Sequence, residues 1–262
     1  MTQQPATKLL VSVRDVEEAR IALESGVDLI DLKEPNRGAL GAVDLQTARD
    51  VVALRDGYQA SRNATPLSMA IGELSDYITG DEMLADDTPA DSDAAAAYPA
   101  FEIPTGIRYY KVGLAGCARR NNWREQLKHL VRRTIRRSGF VAVAYADHEA
   151  VAAPSFDEVL AEAPRLGARA VLIDTAVKDG RTLLDHWSRE ELHDAIQKIR
   201  RSHLLSVAGG GLRAELIAEV CRCRPDYVAV RGAACTGGRD GKIEAKRIAA
   251  LRALLPKLVL RT

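Results

Sequence analysis

Eight short apolar runs, separated by segments with helical periodicity, constrain the fold of this 262-residue chain more than any other feature. The runs cover residues 9–13, 29–33, 66–72, 109–114, 141–147, 170–176, 204–210 and 227–234. Most of them are almost continuously apolar, which is typical of parallel strands covered on both faces. Eight strands that alternate with helices predict a (β/α)8 TIM barrel, with residues 1–262 forming a single domain.

Helical periodicity is clearest in the segments 15–26, 156–167 and 212–223. In the first of these, Asp15 is a candidate N-cap, acidic residues occupy the first turn, and Gly26 is a candidate stop. An open doubly wound sheet is the alternative fold. No G-x-G-x-x-G motif follows the first strand, where a dinucleotide-binding sheet would have one, so the barrel is preferred.

Two charged segments interrupt the alternation. Residues 76–104 contain eight acidic residues and no Lys or Arg, which predicts an acidic insertion after the third strand. Residues 117–137 contain eight Lys or Arg and one Glu in a helical pattern. Because the chain has a net charge of only +1 and no aromatic platform accompanies this helix, we interpret it as a solvated face and expect no nucleic-acid partner.

The composition predicts a cytoplasmic protein. No apolar run approaches the roughly 20 residues that cross a bilayer, and the first residues, "MTQQPATK", lack the apolar core of a signal peptide. The four cysteines are expected to be reduced thiols, and the five histidines have no metal-ligand spacing. We therefore expect no membrane association, no metal and no other cofactor.

Charged residues cluster where the strands are predicted to end, which is where barrels of this kind place their active sites. These residues are Asp31, Lys33, Lys111, Asp147, Asp174, Lys178 and Arg231. Burial lowers the pKa of a lysine, and a neutral amine can form a Schiff base with a carbonyl compound. The aspartates are suited to general acid–base catalysis. For any one pair a structural ion pair is an equal alternative, but charged burial seldom stabilises a core, so the set indicates function.

Small residues follow the last two strands and indicate a phosphate site. Gly209, Gly210 and Gly211 follow strand seven, and Arg231, Gly232 and Ala233 follow strand eight. Backbone N–H groups in such loops can bind a phosphate, although tight turns also need glycine. The residues alone thus predict a lysine-dependent lyase or aldolase that acts on a small phosphorylated carbonyl compound.

Several motifs resemble one known family. They are "LLVSVRDVEEARIALESGVDLIDLKEPNRGALGA", "YYKVGL", "AYAD", "LIDTAVKDGRTLLDH" and "VRGAACTGG". From about Lys8 to its C-terminus the chain is similar to (5-formylfuran-3-yl)methyl phosphate synthase, a lyase of methanofuran biosynthesis, also called 4-(hydroxymethyl)-2-furancarboxaldehyde phosphate synthase.

The resemblance implies that two molecules of glyceraldehyde 3-phosphate, a triose phosphate, condense to a furan aldehyde phosphate with loss of phosphate and water. On the pattern of the family, Lys33 is the Schiff-base residue and Lys111 the proton acceptor, while Asp31, Asp174 and Lys178 assist. The acidic insertion departs from that pattern, and together with the high Ala and Arg content it suggests a bacterium that makes a methanofuran-like C1 cofactor. We also expect a homo-oligomer.

Two other functions are compatible with the same sequence. A class I aldolase that makes an ordinary sugar phosphate would share the Schiff base and the phosphate site. A non-catalytic binding barrel would need neither, and only the basic helix at 117–137 favours it. A furan product absorbs in the near ultraviolet and a sugar phosphate does not, so a spectrum distinguishes the two enzymes.

Overall fold

The eight apolar runs form eight parallel strands that close into a barrel in sequence order. In this computed structural model, which describes residues 6–58, 64–77, 102–134 and 138–256, the strands are β1 (Lys8–Val13), β2 (Leu29–Leu32), β3 (Leu67–Glu73), β4 (Ile107–Gly113), β5 (Gly139–Tyr145), β6 (Ala170–Asp174), β7 (Leu205–Ala208) and β8 (Tyr227–Val230). Strand β8 pairs with β1 and closes the circle, which confirms the predicted barrel.

In the described part of the chain, α-helices follow every strand of the barrel except β3, after which the described residues contain only a 3-10 turn at Leu74–Tyr77. The helices are α1 (Val16–Glu24), α2 (Leu45–Tyr58), α3 (Trp123–Arg133), α4 (Phe156–Glu162), α5 (Leu183–His186), α6 (Arg189–Arg201), α7 (Ala214–Arg222) and α8 (Ala245–Leu254). Asp15 caps α1 as predicted, because its carboxylate accepts a hydrogen bond from Glu18 N at 2.9 Å. Gly26 follows the helix with a φ of 67°, a conformation that favours glycine.

Side chains alternate between two apolar layers because successive residues of a strand face opposite ways. Leu9, Val11 and Val13 of β1 belong to the larger layer, between the sheet and the helices. Leu10 and its counterparts on the other strands form the smaller cluster inside the barrel. Towards the carboxyl ends of the strands this interior changes from apolar to charged, with Asp31 and Lys111 both buried. The fold therefore places charged groups above an apolar base.

Of the two charged segments, the structure describes most of the basic helix but little of the acidic insertion. Residues 78–101, most of the predicted acidic insertion, lie outside the described residues. The basic helix is α3, which begins at Trp123, later than the sequence pattern suggested, after a 3-10 turn at Cys117–Arg119. Arg124 of α3 forms ion pairs with Glu158 at 2.9 Å and Glu162 at 3.4 Å, so α4 supplies part of its counter-charge.

A short hairpin follows β8 at the carboxyl end of the barrel. It consists of β9 (Cys235–Thr236) and β10 (Lys242–Ile243), joined by the loop 237–241. Gly237 and Gly238 have φ values of 79° and 86°, which other residues adopt only with strain. Within the described ranges, no helix has both the length and the apolar character needed to cross a membrane.

Candidate active site

A cavity of about 620 Å³ opens at the carboxyl ends of β1, β2 and β6 to β8. Lys33, Lys111 and Lys178 line it together with Asp31 and Asp174. These five side chains come from β2, β4, β6 and the loop after β6, so the closed barrel unites residues that are far apart in the sequence. Five of the six predicted catalytic residues therefore share one cavity.

Asp31 and Lys111 form a buried ion pair at the floor of this cavity. The Lys111 amine donates a hydrogen bond to Asp31 Oδ1, while Ser68 Oγ donates to the same oxygen at 2.5 Å and Ser12 Oγ to Oδ2 at 3.0 Å. Burial opposes ionisation of Asp31, but the charges of Lys111 and Lys33 and these hydrogen bonds lower its pKa. The carboxylate is thus held in its charged form.

Burial also lowers the pKa of Lys111, the main effect on this amine. The positive charge of Lys33 lowers it further, and the Asp31 carboxylate offsets only part of the shift. An amine whose pKa is lowered towards neutrality can release and take up a proton near physiological pH. Asp31 is therefore the counter-charge of an amine whose pKa is lowered.

Asp174 lies between the other two lysines. Its Oδ2 is 3.7 Å from Lys33 Nζ, and its Oδ1 accepts hydrogen bonds from Lys178 Nζ at 3.1 Å and Thr175 N at 2.8 Å. Burial opposes its ionisation, yet the Lys178 and Lys33 charges hold its pKa well below the usual range. For Lys178, burial lowers the pKa first and Lys33 and Arg239 lower it further, against the opposing Asp174 charge.

Lys33 is the least constrained of the three amines. Lys178 Nζ also donates to Thr175 O at 2.5 Å and Thr175 Oγ1 at 3.1 Å, and Lys111 Nζ is bound to Asp31. Lys33 Nζ has an ion-pair contact with Asp174 but no hydrogen bond to any described residue. Of the three cavity amines, Lys33 therefore has the fewest fixed contacts.

A glycine-rich loop forms the wall opposite the lysines. Gly209, Gly210 and Gly211 lead from β7 to the N-terminus of α7, and the last two have φ values of 89° and 62°. A Cβ at Gly211 would lie 2.8 Å from Arg181 O, so the loop also needs glycine sterically. Arg213, the N-cap of α7, makes no side-chain capping bond. Leu216 N donates to Arg213 O at 3.0 Å, and the N–H groups of Ala214 and Glu215 remain available to an anion.

Arg231 lines the same cavity with Gly232 and Ala233, but its guanidinium is bound within the protein. Its Nη1 donates to Glu18 Oε2 at 2.8 Å and its Nη2 to Glu18 Oε1 at 3.2 Å. Its Nη1 also donates to Ser12 O at 3.1 Å, and its Nε to Arg239 O at 2.7 Å. The structure therefore places Arg231 as an anchor between α1, β1 and the hairpin, and shows no fork aimed at a ligand.

Asp147, which the sequence suggested as an acid–base group, lies outside this cavity. Its two carboxylate oxygens accept hydrogen bonds from Ala176 N and Val177 N, both at 2.8 Å. These amides belong to the loop that follows β6 and carries Lys178. Asp147 thus fixes the loop of one lysine rather than facing a substrate.

Glu73 and Tyr145 form a second buried pair. Tyr145 OH donates to Glu73 Oε1 at 2.6 Å, and Ala115 N donates to Oε2 at 3.0 Å. Burial raises the pKa of Glu73 and, together with the Glu73 charge, raises that of Tyr145 well above its usual value. Tyr145 follows Val141 and Val143 on the inward face of β5, so the period-two pattern of the sequence places it at the end of this strand. On β3 an irregularity in the β3–β4 register precedes Glu73 and interrupts the period-two pattern, so Glu73 was not identified from the sequence.

Metal binding has no candidate site in the described part of the chain. No group of three His, Cys, Asp or Glu side chains there is arranged to hold a metal ion. The lysines and aspartates of the cavity are instead bound to one another.

The sequence of this chain matches one protein family over most of its length. The family model of 4-HFC-P synthase covers residues 9–252. The (5-formylfuran-3-yl)methyl phosphate synthase of Methanothermobacter thermautotrophicus is 31% identical over 251 residues, which are 94% of this chain and 98% of that protein. The enzyme of the same name from Methanococcus maripaludis is 33% identical over 246 residues, or 90% of this chain and 94% of that protein.

Solved structures similar to this chain share its fold at low sequence identity. N-(5'-phosphoribosyl)anthranilate isomerase from Pyrococcus furiosus superposes with a TM-score of 0.55 at 17% identity, covering 95% of this chain and 98% of its own. The 3-hexulose-6-phosphate synthase of Salmonella typhimurium gives 0.53 at 14% identity, covering 94% and 98%. At these identities the likeness concerns the barrel alone.

Proposed function

Because this chain belongs to the 4-HFC-P synthase family, we propose that it condenses two molecules of glyceraldehyde 3-phosphate to (5-formylfuran-3-yl)methyl phosphate through a Schiff base on Lys33. The product would serve the biosynthesis of methanofuran or a methanofuran-like C1 cofactor. The observation that carries the proposal is the Lys33 amine, which lines the cavity 3.7 Å from Asp174 without a hydrogen bond to any described residue. The reaction would be that of a lyase.

The first step is imine formation. The Lys33 nitrogen adds through its lone pair to the aldehyde carbon of one triose phosphate, and the former carbonyl oxygen leaves as water with the two N–H protons. A proton from solvent converts the imine into an iminium, which withdraws electrons from the adjacent carbon, and the proton of that carbon passes to Lys111. Asp174 and Asp31, the carboxylates paired with Lys33 and Lys111, balance the positive charges. The enamine carbon then attacks the aldehyde of the second triose phosphate.

The later steps close the ring and eliminate one phosphate and water, and the aromatic furan makes the sequence difficult to reverse. Gly209, Gly210 and Gly211 with the N-terminus of α7 would bind a substrate phosphate through backbone N–H groups. Gly232 and Ala233 would extend this wall. We also propose that the protein acts in the cytoplasm as a homo-oligomer, without a cofactor, a membrane or a nucleic acid.

Borohydride trapping tests the imine directly. The protein would be incubated with glyceraldehyde 3-phosphate and borohydride, digested, and its peptides weighed by mass spectrometry. We expect a reduced adduct on the peptide that carries Lys33, its absence in Lys33→Met, and its presence in the control Lys198→Met, which removes a surface lysine. Without borohydride, a near-ultraviolet absorbance should develop.

Three results would change the proposal. An adduct on Lys111 or Lys178 would reassign the roles of the lysines within the same reaction. An adduct on Lys33 without new absorbance would favour a class I aldolase that makes a sugar phosphate. With neither adduct nor absorbance, the synthase proposal fails and a non-catalytic binding barrel remains.

A further inference from the structure

Arg231 and Glu18 fix the backbone of the hairpin that follows β8. Their bidentate ion pair is buried, with both side chains 5% exposed. Arg231 Nε donates to the carbonyl oxygen of Arg239 at 2.7 Å, and Arg14 Nη1 donates to that of Asp240 at 3.1 Å. The loop 237–241 is thereby attached to β8 and to the segment after β1. These hydrogen bonds hold the backbone of Arg239 in place.

The side chain of Arg239 then crosses to the segment that follows Lys33. Its Nη2 donates to Pro35 O at 2.8 Å and to Gly38 O at 3.1 Å. The same side chain lines the cavity and is only 26% exposed. The Arg239 guanidinium therefore joins the hairpin that follows β8 to the loop that follows β2.

The segment 34–41, which follows Lys33, packs against the barrel interior. Ala39 and Leu40 are buried in the cluster inside the barrel, together with Ala70 and Tyr145. On the side of β3, Gly72 N donates to Leu40 O at 2.9 Å. On the opposite side the tie is Arg239. Since Lys33 immediately precedes this segment, the same tie limits where the backbone of Lys33 can move.

We propose that Arg239 is a positioning residue for Lys33, which it acts on through the carbonyls of the segment 34–41. This proposal rests on the proposed function, which assigns imine formation to Lys33. The rate of that reaction depends on the position of the Lys33 amine. A shift of about 1 Å at a reacting group can cost about a hundredfold in rate. Arg239 would thus set the rate of imine formation and not the affinity for phosphate.

The test measures the rate of imine formation on Lys33 and phosphate binding separately. Arg239→Ala would be mixed with saturating glyceraldehyde 3-phosphate, quenched with borohydride at successive times, and assayed for the Lys33 adduct. We expect the rate to fall about ten- to a hundredfold, while the Kd of inorganic phosphate, measured by calorimetry, stays within about twofold of the unmutated value. Hydrogen exchange in the segment 34–41 should become faster.

Two further variants keep the test decisive. Arg239→Lys retains a cation that can donate to the same carbonyls, so its rate should lie between those of the other two proteins; it also serves if Arg239→Ala does not fold. Arg252→Ala is the matched control, because Arg252 donates to a backbone carbonyl, Ser25 O, at 3.2 Å but does not line the cavity. Its rate should equal that of the unmutated protein.

An unchanged rate in Arg239→Ala and Arg239→Lys would overturn the inference and leave the proposed function intact. A weaker phosphate affinity at an unchanged rate would also overturn it, since Arg239 would then be an anion ligand. If the unmutated protein forms no Lys33 adduct at all, the proposed function fails and the inference with it.

Discussion

The barrel interior contains five charged side chains, and the loss of their hydration opposes folding. They are Asp31, Lys33, Lys111, Asp174 and Lys178. Asp31 is 1% exposed and Lys111 is 4% exposed, so both have lost nearly all hydration. Replacing a buried ion pair by apolar residues of similar volume is often neutral or stabilising. The arrangement therefore contributes little to folding. Its chemical consequence is that the pKa values of the Lys111 and Lys178 amines are lowered.

Gly113 packs closely against the Glu73–Tyr145 pair, which leaves no space for a side chain. A Cβ there would overlap Glu73 Oε2 and the Tyr145 hydroxyl. We expect Gly113→Ala to lower the free energy of unfolding by about 1–3 kcal/mol, since overpacking forces both side chains to move. Urea unfolding followed by circular dichroism measures this.

Gly57→Ala is the matched control for that substitution. Gly57 lies within α2, and a Cβ there would meet no atom within 4 Å. Because alanine has a higher helix propensity than glycine, the free energy of unfolding of this variant should be higher by about 0.5–1 kcal/mol. Equal effects of the two substitutions would contradict the close packing at Gly113.

Helices and strands were predictable from the sequence where their own residues decide them. The runs 9–13 and 170–176 correspond to β1 and β6, and Asp15 caps α1 as its position indicated. The roles of single side chains were less predictable. Arg231 meets Glu18 across 213 residues of chain, and no local pattern records such a contact. The same applies to Asp147, whose partners lie in the loop after the next strand.

The N-terminus of α7 allows a prediction at the level of one element. A carboxylate at its N-cap would satisfy the first N–H groups and compete with a bound phosphate. We expect Arg213→Asp to raise the KM for glyceraldehyde 3-phosphate about tenfold or more, an effect of about 1.4 kcal/mol, and to leave the melting temperature unchanged or higher.

Arg213→Gln separates the two causes of that effect. It removes the same positive charge and the ion pair with Glu215 but adds no carboxylate at the helix end. Its KM should rise less than that of Arg213→Asp. Equal KM values for the two variants would show that the N-terminus of α7 is not the phosphate site.

Across the whole molecule, the charges are nearly balanced, but the cavity wall has an excess of cationic side chains. The chain carries a formal charge of +1. Cationic residues nevertheless outnumber acidic ones along the cavity wall, where Asp31, Asp174 and Glu215 face Lys33, Lys111, Lys178, Arg181, Arg213 and Arg247. Arg231 and Arg239 also line the wall, but their guanidinium groups are bound within the protein. An excess of one sign along a concave wall attracts ions of the opposite sign. This distribution suits a substrate with phosphate groups better than an extended polyanion, which would need a charged outer surface.

The buried carboxylates predict how the stability of the whole barrel depends on pH. The pKa values of Asp31 and Asp174 are lowered in the folded state, so the unfolded chain binds more protons in acid. Their contribution is complete above about pH 5 and is lost as the pH falls below the unfolded value of about 4. Stability should therefore rise with pH from 3 to 5.

Asp174→Asn removes one of these two groups. At neutral pH it should be less stable than the unmutated protein, because Lys33 and Lys178 lose their shared counter-charge. The slope of the free energy of unfolding between pH 3 and 5 should be smaller by up to about 1.4 kcal/mol per pH unit, the value for one proton. The stability difference between the two proteins thus narrows in acid. Urea titrations at several pH values measure it, and parallel curves would mean that the pKa of Asp174 is not lowered in the folded barrel.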